Sequence, residues 1–222
     1  MMRALVFGAT SGIGLACAKA LCKDYEVIGV GRDISKVTDD KIEFVEYDLT
    51  DRKALKKLLN SVSCPDVIVL SQGCAYYGLH ENISSDECEE MVLTDLLSPI
   101  EITNHYLSYM KQRKSGHIIF ISSVTADSVN PHGACYGACK AGIRSFAKSI
   151  FEEVRKTDVK VSLISPDLTD TDLYRNADFG VDKELVLKPE DVAEAVLFAI
   201  NKPSNVDVFD IVIRPMRNAI KK

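Results

Sequence analysis

The sequence predicts an α/β fold: a three-layer, doubly wound arrangement around a mostly parallel sheet of seven strands. Three observations carry this. Short apolar runs alternate with segments of helical spacing from one end of the chain to the other. The runs are apolar at consecutive positions, as strands buried on both faces require. The first run stops at a glycine loop, Gly8-Ala9-Thr10-Ser11-Gly12-Ile13-Gly14, which opens directly into a helical segment. Right-handed crossovers between consecutive parallel strands then put helices on both faces of the sheet.

Residues 3–7 read as the first strand, stopped by Gly8, and residues 13–21 as the first helix. The second strand is 26–30, ending before Gly31, and the third is 42–47. A helix over 51–60 presents Leu55, Leu58 and Leu59 on one face. The fourth strand is 67–70. A long helix is expected over 85–110, distorted at Pro99, because proline lacks an amide donor and its ring meets the carbonyl four residues earlier. Residues 117–122 form the fifth strand, 136–155 a helix and 159–164 the sixth strand. A last helix over 191–201 is entered through Pro189 and Glu190, and 206–213 is the seventh strand.

No linker rich in Gly, Ser or Pro divides the 222 residues, and no repeat is visible, so 1–222 reads as one domain. Ligands of such folds bind beyond the carboxyl ends of the strands. Residues 74–80, 124–135 and 170–188 are therefore the expected substrate loops, with Tyr76, Tyr77, Tyr174 and Phe179 as candidate apolar lining.

Composition excludes several classes. A net charge of -5 lacks the basic stripe that nucleic acid requires. No apolar run is long enough to span a bilayer, and the first residues lack the pattern of a secretory signal, so a cytoplasmic location is expected. The seven cysteines are odd in number and miss zinc-ligand spacings. They read as reduced, mostly buried small hydrophobes, and no metal is expected.

The glycine loop lets the backbone turn tightly and approach a pyrophosphate, and the helix behind it supplies free N–H groups and a partial positive charge. Its spacing is GxxxGxG. At the end of the second strand stands Gly31-Arg32-Asp33. An acidic residue there suits the ribose hydroxyl of NAD, whereas the planar fork of Arg32 suits a 2′-phosphate. The expectation is NADP, with NAD possible and Asp33 pulling towards it.

Tyr136 and Lys140 lie four residues apart on a helix, so phenol and ammonium share one face. A nearby cation favours phenolate, and Tyr136 can then exchange a proton with a carbonyl or alcohol oxygen. Ser123, at the end of the fifth strand, is placed to hold the same oxygen.

Together these residues resemble the short-chain dehydrogenase/reductase family, whose fold is the Rossmann fold, over essentially the whole chain. GATSGIG is similar to the family's cofactor loop, with Gly8, Gly12 and Gly14 in register and Thr10, Ser11 and Ile13 between them. Gly31-Arg32 resembles the NADP-preferring form. Asp48-Leu49 resembles the pair that holds adenine, and Gly73 is the surviving glycine of the segment after the fourth strand. Ser123, Tyr136 and Lys140 match the family's catalytic residues: orienting serine, acid/base tyrosine, and a lysine that holds the nicotinamide ribose and lowers the tyrosine pKa. Ser165-Pro166 with Thr169 and Thr171 resembles the stretch that meets the carboxamide.

There are three departures. NNAG is here Leu70-Ser71-Gln72-Gly73, and PG is Pro166-Asp167. Where the family carries a catalytic asparagine, this chain has Asp95 in Asp95-Leu96-Leu97-Ser98-Pro99, a charge able to pair with Lys140 and blunt its effect on Tyr136. The resemblance implies an NADP(H)-dependent oxidoreductase acting on a small-molecule carbonyl or alcohol, assembled as a homodimer or homotetramer. The alternative, carried by Ser71, Gln72 and Asp95, is a cofactor-binding sensor or regulatory protein with little turnover.

Overall fold

The structure, a computed structural model, describes residues 1–174, 177, 180–217 and 220–221, of which 180, 181, 220 and 221 are described by their backbone alone. Strands β1 (Met2–Phe7), β2 (Tyr25–Gly31), β3 (Ile42–Glu46), β4 (Val67–Leu70), β5 (Gly116–Ile121) and β6 (Val159–Pro166) belong to one sheet with the later strand β8 (Asp210–Ile213). The order is β3-β2-β1-β4-β5-β6-β8 and every pairing is parallel. Two short strands, β7 (Gly180–Val181) and β9 (Ile220–Lys221), form a separate antiparallel pair.

Six α-helices are described: α1 (Gly12–Leu21), α2 (Arg52–Ser61), α3 (Ser85–Met91), α4 (Ser98–Arg113), α5 (Ala134–Val154) and α6 (Pro189–Ile200). Side chains alternate along each strand, so Leu5 and Phe7 pack with Leu55, Ile102, Tyr106 and Ile143 from α2, α4 and α5. Ala4 and Val6 pack on the other face with Ala16, Cys17, Val192 and Val196 from α1 and α6. This makes the three layers. The chain leaves β1 for β2 on one side and returns to β4 on the other, so a crevice opens at the carboxyl ends of β1 and β4. Among the described residues no helix is long and apolar enough to cross a membrane.

The expected long helix is interrupted. Between α3 and α4 the chain widens into a π-helical turn, Val92–Leu97, with the Ser98 amide donating to the Leu93 carbonyl. Pro99 sits in the first turn of α4 and has no N–H for the Asp95 carbonyl four residues earlier. The distortion thus falls just upstream of the proline, and it carries Asp95. Helix α5 starts at Ala134 rather than 136, which places Tyr136 inside its first turn. The last strand starts at 210 rather than 206. There the Asp207 carboxylate, not a backbone carbonyl, accepts the Val161 amide (3.0 Å), and backbone pairing begins at the Phe209 carbonyl, which accepts the Leu163 amide. Four 3₁₀ turns, too short to show a period, were not expected.

His117 is buried in β5, and its Nε2 lies 2.8 Å from Ser162 Oγ. Ser162 donates its own proton to the Val208 carbonyl (2.7 Å), so the imidazole donates to the serine. Burial, then Lys160, pushes its pKa down to about 3. The unfolded chain therefore binds a proton that the folded chain refuses between the ordinary histidine pKa and about 3. Stability from this group is complete above that window and falls as pH is lowered through it. Between pH 7 and 5 the loss is expected to be about 2 kcal/mol, read from urea titrations. His117→Gln keeps a donor for Ser162 and should remove most of that slope; an unchanged slope would assign it elsewhere.

Candidate active site

The glycine loop joins β1 to α1 at the switch point. A Cβ at Gly14 would stand 2.1 Å from the Gly8 carbonyl oxygen, so no side chain fits. Ser11 makes no side-chain capping bond and the first turn of α1 has no acidic residue. By contrast, Asp51 caps α2 by accepting from the Lys53 and Ala54 amides, each at 3.0 Å. The leading amides of α1 thus lack an anionic side-chain cap, and the α1 end of the cleft fits a pyrophosphate.

Arg32 lines the cleft, half-exposed, and its Nη1 donates to Glu90 Oε1 at 2.7 Å. Asp33 points into its own turn, accepting from the Ser35 amide (3.1 Å) and pairing with Lys36 (2.7 Å). These bonds, Lys36 first, hold its carboxyl down at about 2. Asp48 accepts from the Thr50 amide (2.9 Å) and hydroxyl (2.8 Å), which fixes the turn beside buried Leu49.

β5 delivers two serines to the crevice. Ser122 Oγ donates to the Lys140 carbonyl (3.2 Å), tying the strand end to α5. Ser123 continues extended, and its Oγ accepts from the Thr125 amide (3.2 Å) and hydrogen-bonds the Tyr136 phenol. Tyr136 and Lys140 are 4% and 5% exposed, with the ammonium 5.5 Å from the phenol ring centroid.

Asp95 completes this group. Its Oδ1 lies 2.9 Å from Lys140 Nζ and its Oδ2 accepts the Cys74 amide at 2.9 Å. Both side chains of the ion pair are buried, and Lys140 also donates to the Ile121 carbonyl (3.3 Å). Gly73 covers the pair: a Cβ there would be 3.0 Å from Asp95 Oδ1. The Tyr136 phenol is held well above its ordinary value, first by burial, then by the Asp95 charge and by Tyr174. The Ser123 hydrogen bond pulls it down. Before any ligand arrives, this phenol is a proton donor.

Every residue that the sequence assigned to catalysis or cofactor binding lines this one cleft. Its lining includes Gly8, Thr10, Ser11, Gly12, Ile13 and Gly14 of the glycine loop, Arg32, Asp48 and Leu49 after β2 and β3, and Gly73, Ser123, Tyr136, Lys140, Pro166, Thr169 and Thr171. Tyr76 and Tyr174 also line it. Tyr77 lies behind, its ring 5.9 Å from Tyr136 and 6.0 Å from Tyr174, while Phe179 falls outside the described residues. Residues 124–135 do not line the cleft. They brace the 74–80 loop, with Gly78 N–H donating to the His132 carbonyl at 2.8 Å.

Thr94 and Gln72 also line the cleft, and sequence reasoning had not placed them in it; Asp172, which lines it too, belongs to the expected 170–188 loop. Glu90 beside Arg32 was missed as well. It sits in an acidic helical run with Asp86, Glu87 and Glu89, where nothing local distinguishes it from a solvated carboxylate. Among the described residues no group of three His, Cys, Asp or Glu side chains is arranged to hold a metal.

A family model described as short chain dehydrogenase matches residues 2–180. An uncharacterized oxidoreductase of Staphylococcus epidermidis is 31% identical, covering 96% of each chain. Among solved structures, serine dehydrogenase from Escherichia coli is 27% identical with a TM-score of 0.84, covering 96% of this chain and 98% of that one. A closed form of serine dehydrogenase complexed with NADP+ is 26% identical with a TM-score of 0.85, covering 96% and 95%.

Proposed function

The chain belongs to the short chain dehydrogenase family of oxidoreductases, and from that we propose that it moves a hydride between NADP(H) and a small carbonyl or alcohol compound. The observation that carries this reading is the meeting of Ser123, Tyr136 and Lys140 in the same cleft as the glycine loop.

When bound, the nicotinamide supplies or takes the hydride. The chain's own residues do the rest. The Gly8–Gly14 loop and the leading amides of α1 hold the phosphates. Asp48 and Leu49 flank the adenine, and Pro166, Thr169 and Thr171 meet the carboxamide. Lys140 holds the ribose and sets the charge near the phenol. Ser123 donates to the substrate oxygen, and Tyr136 gives that oxygen its proton. Since burial and Asp95 keep the phenol protonated, carbonyl reduction is the direction this electrostatic setting serves.

Arg32 supports NADP over NAD, because its free guanidinium donors suit a 2′-phosphate while Asp33 is spent on Ser35 and Lys36. The solved neighbour bound to NADP+ agrees with this choice. NADPH is expected to bind about tenfold tighter than NADH at equal ionic strength. It should be oxidised by at least one of a panel of aldehydes, ketones and quinones. Small hydroxy acids with NADP+ belong in the panel, because two neighbours are serine dehydrogenases. Tighter binding of NADH would remove the role given to Arg32.

One observation favours a second reading, a cofactor-binding protein with little turnover. The buried Asp95 carboxylate neutralises the lysine that would activate Tyr136. Tight NADPH binding without oxidation across the panel would establish it.

A further inference from the structure

We propose that Glu90 is a specificity-determining residue of the cofactor site: its carboxylate opposes the 2′-phosphate at Arg32 and so tempers the preference for NADP(H). This rests on the reading of Arg32 as the phosphate clamp.

Glu90 reaches Arg32 from the last turn of α3, 58 residues away in sequence. Both of its oxygens are engaged: Oε1 accepts from Arg32 Nη1 at 2.7 Å and Oε2 accepts from the Tyr76 hydroxyl at 2.7 Å. The Glu90 side chain is 26% exposed and that of Arg32 is 49% exposed. The carboxylate is therefore the anchored partner and the guanidinium the one with room to move. Its anchor persists at neutral pH, since the Glu90 bond itself holds the Tyr76 phenol up at about 12 and keeps it a donor.

A 2′-phosphate carries about −1.5 to −2 charges at pH 7 and seeks the donors of Arg32. It must either displace Glu90 from the guanidinium or share that group with it, one guanidinium width from a like charge. A ribose 2′-hydroxyl meets no such opposition, because it can donate a hydrogen bond to a carboxylate. Glu90 thus penalises only the phosphorylated cofactor. The same carboxylate links Arg32 to Tyr76, which also lines the cleft.

The test measures Kd for NADPH and NADH by cofactor fluorescence in wild type, Glu90→Gln and Arg32→Gln, at low and raised ionic strength. Glu90→Gln removes the charge and keeps one carbonyl oxygen as an acceptor for Arg32, while its amide N–H₂ can donate to the Tyr76 oxygen. It is expected to tighten NADPH about tenfold and to leave NADH within about twofold, with the gain shrinking as salt rises. Unchanged or weakened NADPH binding in Glu90→Gln, with Arg32→Gln still weakening NADPH, would overturn the proposal and leave the clamp standing. Undiminished NADPH binding in Arg32→Gln would instead overturn the clamp, and the proposal with it.

Discussion

Turnover in Tyr136→Phe is expected to fall by about three orders of magnitude, with NADPH affinity unchanged within about twofold. The substitution removes one hydroxyl and keeps the ring, so packing against Tyr77 (5.9 Å between centroids) survives. What is lost is the proton donor that Ser123 hydrogen-bonds. Ser123 and Lys140 cannot replace it. The serine is held by the Thr125 amide, and the ammonium is engaged by Asp95 and the Ile121 carbonyl. Absorbance decay of NADPH at saturating substrate, paired with a binding titration, measures both quantities. A variant that keeps more than about a tenth of wild-type turnover would remove Tyr136 from the mechanism.

Asp95→Asn should change the pH dependence more than the fold. The asparagine carbonyl can still accept the Cys74 amide, so the loop after β4 keeps its anchor. The charge that raises the Tyr136 pKa disappears, and Lys140 becomes an unopposed cation beside the phenol. Opposite charges at this range shift pKa values by about one to three units. Alcohol oxidation needs phenolate, so its rising limb should move to lower pH by at least about one unit, a tenfold gain below that limb. Carbonyl reduction at neutral pH, which uses the phenol already present, should change little. The variant also leaves a buried ammonium without its counterion, at about 3 kcal/mol of stability, measurable by urea unfolding. If the limb stays in place, Asp95 does not govern the tyrosine. Inactive wild type with active Asp95→Asn would show the ion pair to be the brake.

Much of the site was legible because its parts are local. The glycine loop announces itself by position, since a strand, a tight turn and a helix follow one another without interruption. Tyr136 and Lys140 share a face through helical spacing alone. Ser123 was found because it ends an apolar run. Asp95 was visible only as a departure from an expected asparagine, and its pairing with Lys140 was one of two possible outcomes.

The remainder depended on contacts between distant segments. Gly73 covers the Asp95–Lys140 pair only because β4 and β5 are neighbours in the sheet. Glu90 in α3 meets Arg32 just after β2 across 58 residues of sequence, and no periodicity encodes that approach. Asp33, which looked like an argument for NAD, turned out to be held within its own turn by Ser35 and Lys36.

By itself, then, the sequence determined the order of strands and helices along the chain, the glycine loop and the spacing of the tyrosine–lysine pair. These follow from hydrophobic periodicity and short-range turn chemistry, which act over a few residues. Only the tertiary structure decided the charge state of the site: whether Arg32 stands free, whether Lys140 is neutralised and how far the Tyr136 phenol is raised. Those depend on burial and on Coulomb interactions over a few ångströms between residues dozens of positions apart, and only folding sets such distances.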